Sequence, residues 1–217
     1  MTKAEIIDGL LNPGVIAIIR ADSSEQLIDA TRALMDGGIR AVEVTMTTPN
    51  ALEVIRDVSQ KFGDKILVGV GTVLNEAAAR EAVKAGAQFV VTPVFRADVI
   101  QFCLQENKPV MSGCYTPTEA FNAFEAGSDF IKVFPADGLG PNYIKAIRAP
   151  LPQLKIIPTG GVDLKTCGEF IKVGCVAVAA GSSLVSKTIL QTQDWKSLTE
   201  LATKFVLAVK VARENRR

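Results

Sequence analysis

The 217-residue chain contains no histidine. That absence removes the commonest general base near neutral pH and the commonest zinc ligand, so hydrolase triads and most zinc sites are not expected. Cysteine is sparse: Cys103, Cys114, Cys167 and Cys175 stand apart with no Cys-x-x-Cys pair. Such thiols read as packing residues of a reducing compartment, not as a disulfide framework. Charge of either sign is not in surplus either, since 24 Lys and Arg stand against 23 Asp and Glu for a net charge of +1. Nucleic acid and anionic membrane surfaces are therefore not expected partners. No apolar run is long enough to span a bilayer, and Met1-Thr2-Lys3-Ala4-Glu5 lacks the apolar core of a signal peptide. A cytoplasmic protein is expected. No clustered Asp/Glu motif at a strand end suggests a divalent cation, so no metal site is expected.

What is present is a globular composition, 48% hydrophobic and 22% charged, suited to one domain spanning 1–217. Short β-branched runs at 15–20, 41–45, 66–70, 88–92, 109–112, 129–134, 155–159 and 176–180 read as eight strands. Between them, segments such as 24–36, 49–61, 75–85 and 96–106 place apolar residues at three- and four-residue spacing, the mark of crossover helices. Residues 6–11 read as a short N-terminal helix and 195–213 as the last helix. Glycines in Asp36-Gly37-Gly38, Ala85-Gly86, Ala126-Gly127 and Val173-Gly174 supply left-handed helix stops just before strands. Alternating strands and helices imply a parallel sheet, and eight units predict an α/β fold, a closed (β/α)₈ TIM barrel; an open doubly wound sheet is the other arrangement.

Chemistry is expected where barrel strands end. In Phe130-Ile131-Lys132-Val133-Phe134, alternation puts Phe130, Lys132 and Phe134 on one face and Ile131 and Val133 on the other. An amine among apolar neighbours loses hydration, which favours its neutral, nucleophilic form and suits Schiff-base chemistry with a carbonyl. The bland alternative is a lysine that snorkels to the surface. In Ala41-Val42-Glu43-Val44-Thr45, Glu43 points into the barrel if the valines meet the helices. A carboxyl there is expensive unless paired or used. Glu43 thus reads equally as a structural partner for Lys132 or Arg20 and as a catalyst; together, an inward Glu43 and Lys132 supply both parts of an amine aldolase.

Two glycine-rich loops follow the last strands: Pro158-Thr159-Gly160-Gly161-Val162 and Ala180-Gly181-Ser182-Ser183-Leu184. Loops after strands seven and eight are the usual phosphate place of such barrels, because backbone N–H groups surround an anion there. Each loop alone also fits a tight turn. Gly69-Val70-Gly71-Thr72 leaves room for close ligand approach and offers a hydroxyl, or simply keeps a strand small inside the barrel.

In this order, Val42-Glu43-Val44-Thr45, Val70-Gly71-Thr72-Val73-Leu74-Asn75, Phe130 to Ala136, Gly140-Pro141-Asn142-Tyr143-Ile144-Lys145 and Pro158 to Val162 resemble the class I aldolases for 2-keto-3-deoxy-6-phosphogluconate (KDPG) and 4-hydroxy-2-oxoglutarate (KHG), a family that also includes 6-phosphogalactonate aldolases. The resemblance runs over nearly the whole chain. It implies a Schiff base at Lys132, proton transfer by Glu43, a carboxylate contact at Thr72 and Thr159, and phosphate contacts at Gly160, Gly161, Gly181 and Ser182. It also implies Pro93 and Phe134 as substrate contacts, a homotrimer, no metal or other cofactor, and a keto-acid substrate, in the KDPG case cleaved to pyruvate and glyceraldehyde 3-phosphate.

Two places depart from the family pattern. Glu-Val-Thr-Leu-Arg-Thr is usual on strand two, with an arginine that binds substrate; Thr47 occupies that position here. Strand four usually ends in Ser-Pro-Gly, where this chain has Thr92-Pro93-Val94-Phe95. Arg20, at the end of strand one, is the expected source of the missing positive charge. Two further function classes fit the same residues: a sugar-phosphate isomerase or epimerase with Glu43 as proton shuttle, and a sugar-phosphate sensor without turnover.

Overall fold

Runs of five consecutive buried residues, such as β1 (Val15–Ile19) and β2 (Ala41–Thr45), mark strands covered on both faces, as in an all-parallel sheet. The structure is a computed structural model and describes residues 1–21 and 23–216. The remaining strands are β3 (Leu67–Gly71), β4 (Phe89–Val91), β5 (Val110–Cys114), β6 (Phe130–Val133), β7 (Ile156–Pro158) and β8 (Val178–Ala180). All pair in parallel in the order β7-β6-β5-β4-β3-β2-β1-β8, and a bridge between Thr159 and Ala179 joins the two ends. The sheet is therefore a closed (β/α)₈ barrel, as expected, and not an open doubly wound sheet.

Helix α1 (Lys3–Leu11) precedes β1, and α2 (Ser24–Asp36), α3 (Ala51–Phe62), α4 (Glu76–Ala85), α5 (Ala97–Gln105), α6 (Pro117–Glu125), α7 (Gly140–Arg148) and α8 (Cys167–Lys172) follow β1 to β7 in turn. After β8 come a short α9 (Lys187–Thr192) and the long α10 (Trp195–Glu214). Helix starts follow local chemistry. Thr2 and Thr116 each form a reciprocal capping box with a glutamate three residues on, at α1 and α6. No described helix is long and apolar enough to cross a membrane.

Strand alternation divides the apolar residues in two. Val42, Val44, Ile131 and Val133 face outward into the large core shared with the helices. Ile16, Leu67, Phe89, Met111, Phe130 and Ile157 fill the barrel, and Ile6 and Leu10 of α1 close it from below. The four cysteines are free and buried, as packing residues should be. Toward the carboxyl ends of the strands the lining changes: Glu43, Thr45, Lys132 and Thr159 are buried and polar. The polar lining is thus gathered at one end of an apolar cylinder.

That end is held by a close backbone contact. The β4 exit loop lies so near Gly113 on β5 that a Cβ there would overlap the Pro93 carbonyl and the Val94 amide. Thr92 locks the same contact, donating from Oγ1 to the Val94 carbonyl (2.7 Å) and accepting from the Gly113 N–H (3.1 Å). Gly113→Ala is expected to lower unfolding free energy by about 1–3 kcal/mol through overpacking, seen as a reduced urea midpoint at constant slope. Unchanged stability would contradict the contact.

Candidate active site

Strand periodicity dictates where the site forms. On β2, Glu43 sits between the outward Val42 and Val44 and pairs across the sheet with Ile18 and Gly69. On β6, Lys132 lies beside Gly113 and Ile157. Both point into the barrel; Glu43 is 1% and Lys132 5% exposed. The snorkelling alternative for Lys132 is thereby set aside. Lys132 Nζ lies 5.0 Å from the centre of the Phe134 ring, which offers its π face to the amine. Among the described residues no carboxylate forms an ion pair with Lys132, and Glu43 pairs with neither Lys132 nor Arg20. The structural-partner reading of Glu43 therefore has no support in this geometry.

Small residues give these side chains room. A methyl group on Gly71 would coincide with the Glu43 carboxyl, so β3 must end in glycine for Glu43 to lean across it. The next residue, Thr72, adopts φ 61°. A β-branched residue in that left-handed region is strained by about 1–3 kcal/mol, a feature that concentrates at functional sites. Thr159, continuing β7, is 3% exposed and its hydroxyl has no hydrogen-bond partner. At a strand exit such a hydroxyl is free to bond a ligand, which would offset the roughly 1–3 kcal/mol that an unsatisfied group costs.

The other expected residues lie on the loops at the same end, since all strands are parallel. Thr47 is exposed after β2 and its hydroxyl is 2.9 Å from that of Thr45, itself 3.4 Å from Thr48. A hydroxyl network thus occupies the position where the family pattern has a cation. Pro93 is half-buried after β4, and Phe134 is 38% exposed after β6. Gly160 and Gly161 turn with φ of 88° and 68°, conformations natural to glycine. Gly181 and Ser182 follow β8, where the Leu184 and Val185 N–H groups donate back to the Gly181 carbonyl. Arg20, at the end of β1, shares with Ser182 a cavity of about 250 Å³. That cavity brings in Lys187 and Gln191 of α9, which the sequence reading passed over.

Nearby titratable groups serve the frame. The Tyr115 and Thr116 N–H groups and the Thr116 hydroxyl donate to the Glu119 carboxylate at 2.8–2.9 Å, which lowers its pKa and fixes the β5 exit turn. Burial pushes the Cys114 thiol up to about 12, so it stays a protonated packing group. Among the described residues no group of three or more Cys, Asp or Glu could hold a metal ion.

A buried amine and a buried carboxyl at the same end of one barrel, with an orphan hydroxyl and two glycine loops on the strand exits of that end, can perform imine chemistry on an acidic carbonyl compound. Comparison with known proteins agrees. A sequence model described as KDPG and KHG aldolase matches residues 6–201. The 2-dehydro-3-deoxy-6-phosphogalactonate aldolase of Escherichia coli K12 is 36% identical over 171 residues, 78% of this chain and 83% of that protein. The 2-dehydro-3-deoxy-phosphogluconate aldolase of Treponema pallidum is 34% identical over 207 residues, 95% and 98% of the two chains. Among solved structures, KDPG aldolase from Legionella pneumophila, with pyruvate captured as a covalent carbinolamine, superposes with a TM-score of 0.83 at 29% identity, covering 90% of this chain and 96% of that one. With the family model spanning most of the chain, this protein belongs to the KDPG and KHG aldolases, class I aldolases that act as carbon–carbon lyases.

Proposed function

We propose that this aldolase cleaves 2-keto-3-deoxy-6-phosphogluconate to pyruvate and glyceraldehyde 3-phosphate through a Schiff base on Lys132. The observation that carries this reading is the inward, unpaired burial of Lys132 and Glu43 at the same end of the barrel. Lys132 Nζ attacks the C2 carbonyl to give a carbinolamine, which loses water to become an iminium. Glu43, directly or through a water, accepts the proton of the C4 hydroxyl as the C3–C4 bond breaks. The bonding pair moves into the iminium, leaving an enamine and releasing the aldehyde. Protonation at C3 and hydrolysis then free pyruvate and regenerate the amine.

Thr72 and Thr159 hold the keto-acid carboxylate in this reading; the orphan hydroxyl of Thr159 gains the partner it lacks. Gly160, Gly161, Gly181 and Ser182 hold the phosphate, and Arg20 adds positive charge. Pro93, Phe134 and Thr47 form the wall between them. The 6-phosphogalactonate epimer is the second reading, favoured by the Escherichia coli relative named for that substrate. A working homotrimer in the cytoplasm completes the proposal. Its support is an arc of exposed apolar side chains on the exits of three successive strands, Leu74, Val94 and Tyr115, at 45–51% exposure. Such an arc is the kind of surface that copies of a chain cover in one another.

Borohydride reduction in the presence of pyruvate, followed by peptide mass mapping, tests the mechanism. A pyruvyl adduct is expected on the Lys132 peptide and absent in Lys132→Ala. No adduct on the folded protein, or one on another lysine, would remove the Schiff-base reading and restore the isomerase or sensor alternatives. Glu43→Gln is expected to keep the adduct while turnover falls roughly 10²- to 10⁴-fold; undiminished turnover would take proton transfer away from Glu43. Thr159→Val should leave the urea midpoint of the free protein unchanged or raised, since it removes an unsatisfied group. The same variant should raise the KM of the keto acid on the order of tenfold; a KM equal to that of the parent would unseat Thr159 from the carboxylate site.

A further inference from the structure

We infer that Lys187 and Gln191 of α9, together with Arg20, form a distal subsite that holds the anionic end of the substrate and selects phosphorylated from unphosphorylated keto acids. The inference rests on the proposed reading that the substrate carries a phosphate. The subsite is the 250 Å³ cavity between the ends of β1 and β8 and helix α9. Its floor is apolar and buried: Ile18 is 7%, Val185 6% and Leu190 6% exposed. Ile18 belongs to the barrel interior, whereas Val185 and Leu190 belong to the core shared with the helices, so the cavity lies where the two meet, beside the end of β1. Its rim is polar and cationic. Lys187 and Gln191 stand four residues apart and share one face of α9.

Charge decides what such a cavity takes. Among the described residues no carboxylate pairs with Arg20 or Lys187. Two uncompensated cations beside one small cavity, in a chain of net charge +1, attract a dianion. The opposite flank cannot supply that charge: Asp137 lies against Gly161, so the β7 loop offers N–H groups next to a carboxylate. Positive charge for the same phosphate must come from the β8 and β1 side. The apolar floor suits the aliphatic carbon that bears the phosphate ester.

Helix α9 is also fixed in place. Ser186 caps its start by accepting from the Ile189 N–H at 3.1 Å. Gln26 of α2 donates to the Leu190 carbonyl at 3.0 Å, tying α9 to the helix after β1. A lysine carried on an anchored turn loses less freedom on binding than one on a loose loop.

The test is calorimetric titration of the full chain with inorganic phosphate. Lys187→Ala is expected to weaken phosphate binding roughly three- to tenfold, Lys187→Glu to weaken it further, and Lys187→Arg to restore it. Lys204→Ala, on the outer face of α10, is the charge control and should bind as the wild type does. Equal affinity in the wild type, Lys187→Ala and Lys187→Glu, or no phosphate binding by the wild type, would overturn the inference. Borohydride trapping of pyruvate on the wild type separates the two proposals. An adduct without phosphate binding removes the distal subsite and keeps the aldolase mechanism, while Lys187-dependent phosphate binding without an adduct does the reverse.

Discussion

Two opposite ionisable groups are buried inside one cylinder and are not paired with each other. Burying an ionisable group without a partner is expensive, and a typical domain has a total stability of only about 5–15 kcal/mol. Glu43 and Lys132 are nevertheless held at 1% and 5% exposure, on β2 and β6. Most of the remaining architecture follows from keeping them there. The lower barrel is filled by Phe89, Phe130, Met111 and Leu67 and closed by α1, which provides a dry, closely packed floor. The end where the strands exit carries the buried hydroxyls of Thr45 and Thr159, and that of Thr159 is unsatisfied.

Glycine at two inward positions is the counterpart of that constraint. Gly71 vacates the space the Glu43 carboxyl fills, and Gly69 vacates the space the Phe89 ring fills one layer below. The strand is therefore small where its neighbour is large, the alternation that lets a narrow barrel interior pack without voids. Thr72 then takes the strain where β3 leaves the sheet. A rigid strand end followed by one strained residue orients a hydroxyl better than a flexible loop could.

The fold was legible because a parallel barrel repeats one signal eight times. Each strand is a short apolar run and each crossover an amphipathic segment, so errors at one boundary are corrected by the next unit. β2 and α2 match their sequence limits residue for residue, while the short strands β4 and β7 contract toward their centres and β8 starts two residues late. Period-two alternation also sufficed to turn Glu43 and Lys132 inward, since their neighbours are unambiguous valines, isoleucine and phenylalanine. Lys187 was not legible. It sits on a six-residue helix, is exposed, and looks like any surface lysine; only the curl of the chain back over β1 gives it a place. The left-handed turn at Thr72 was equally hidden, because nothing in a threonine signals positive φ. The hydroxyl contact of Thr47 with Thr45 depends on rotamers that one sequence does not specify.

Strand order supplies a further argument about how a linear substrate would lie. Reading round the barrel from β6, the amine of Lys132 comes first, then Thr159 and the glycine pair after β7, then Gly181 and Ser182 after β8, and last Arg20 after β1. In the proposed mechanism C2 must sit at Lys132, and in the proposed distal subsite the phosphate sits between β8 and β1. Neighbouring strands are about 4.8 Å apart, so the two ends of the substrate are separated by two to three strand spacings measured along the wall. A six-carbon chain with a terminal phosphate reaches farther round that wall toward the cations than a five-carbon dicarboxylate does. Chain length and terminal charge would thus be read together, by one arc of consecutive strand ends, and the covalent chemistry at Lys132 would remain common to both substrates.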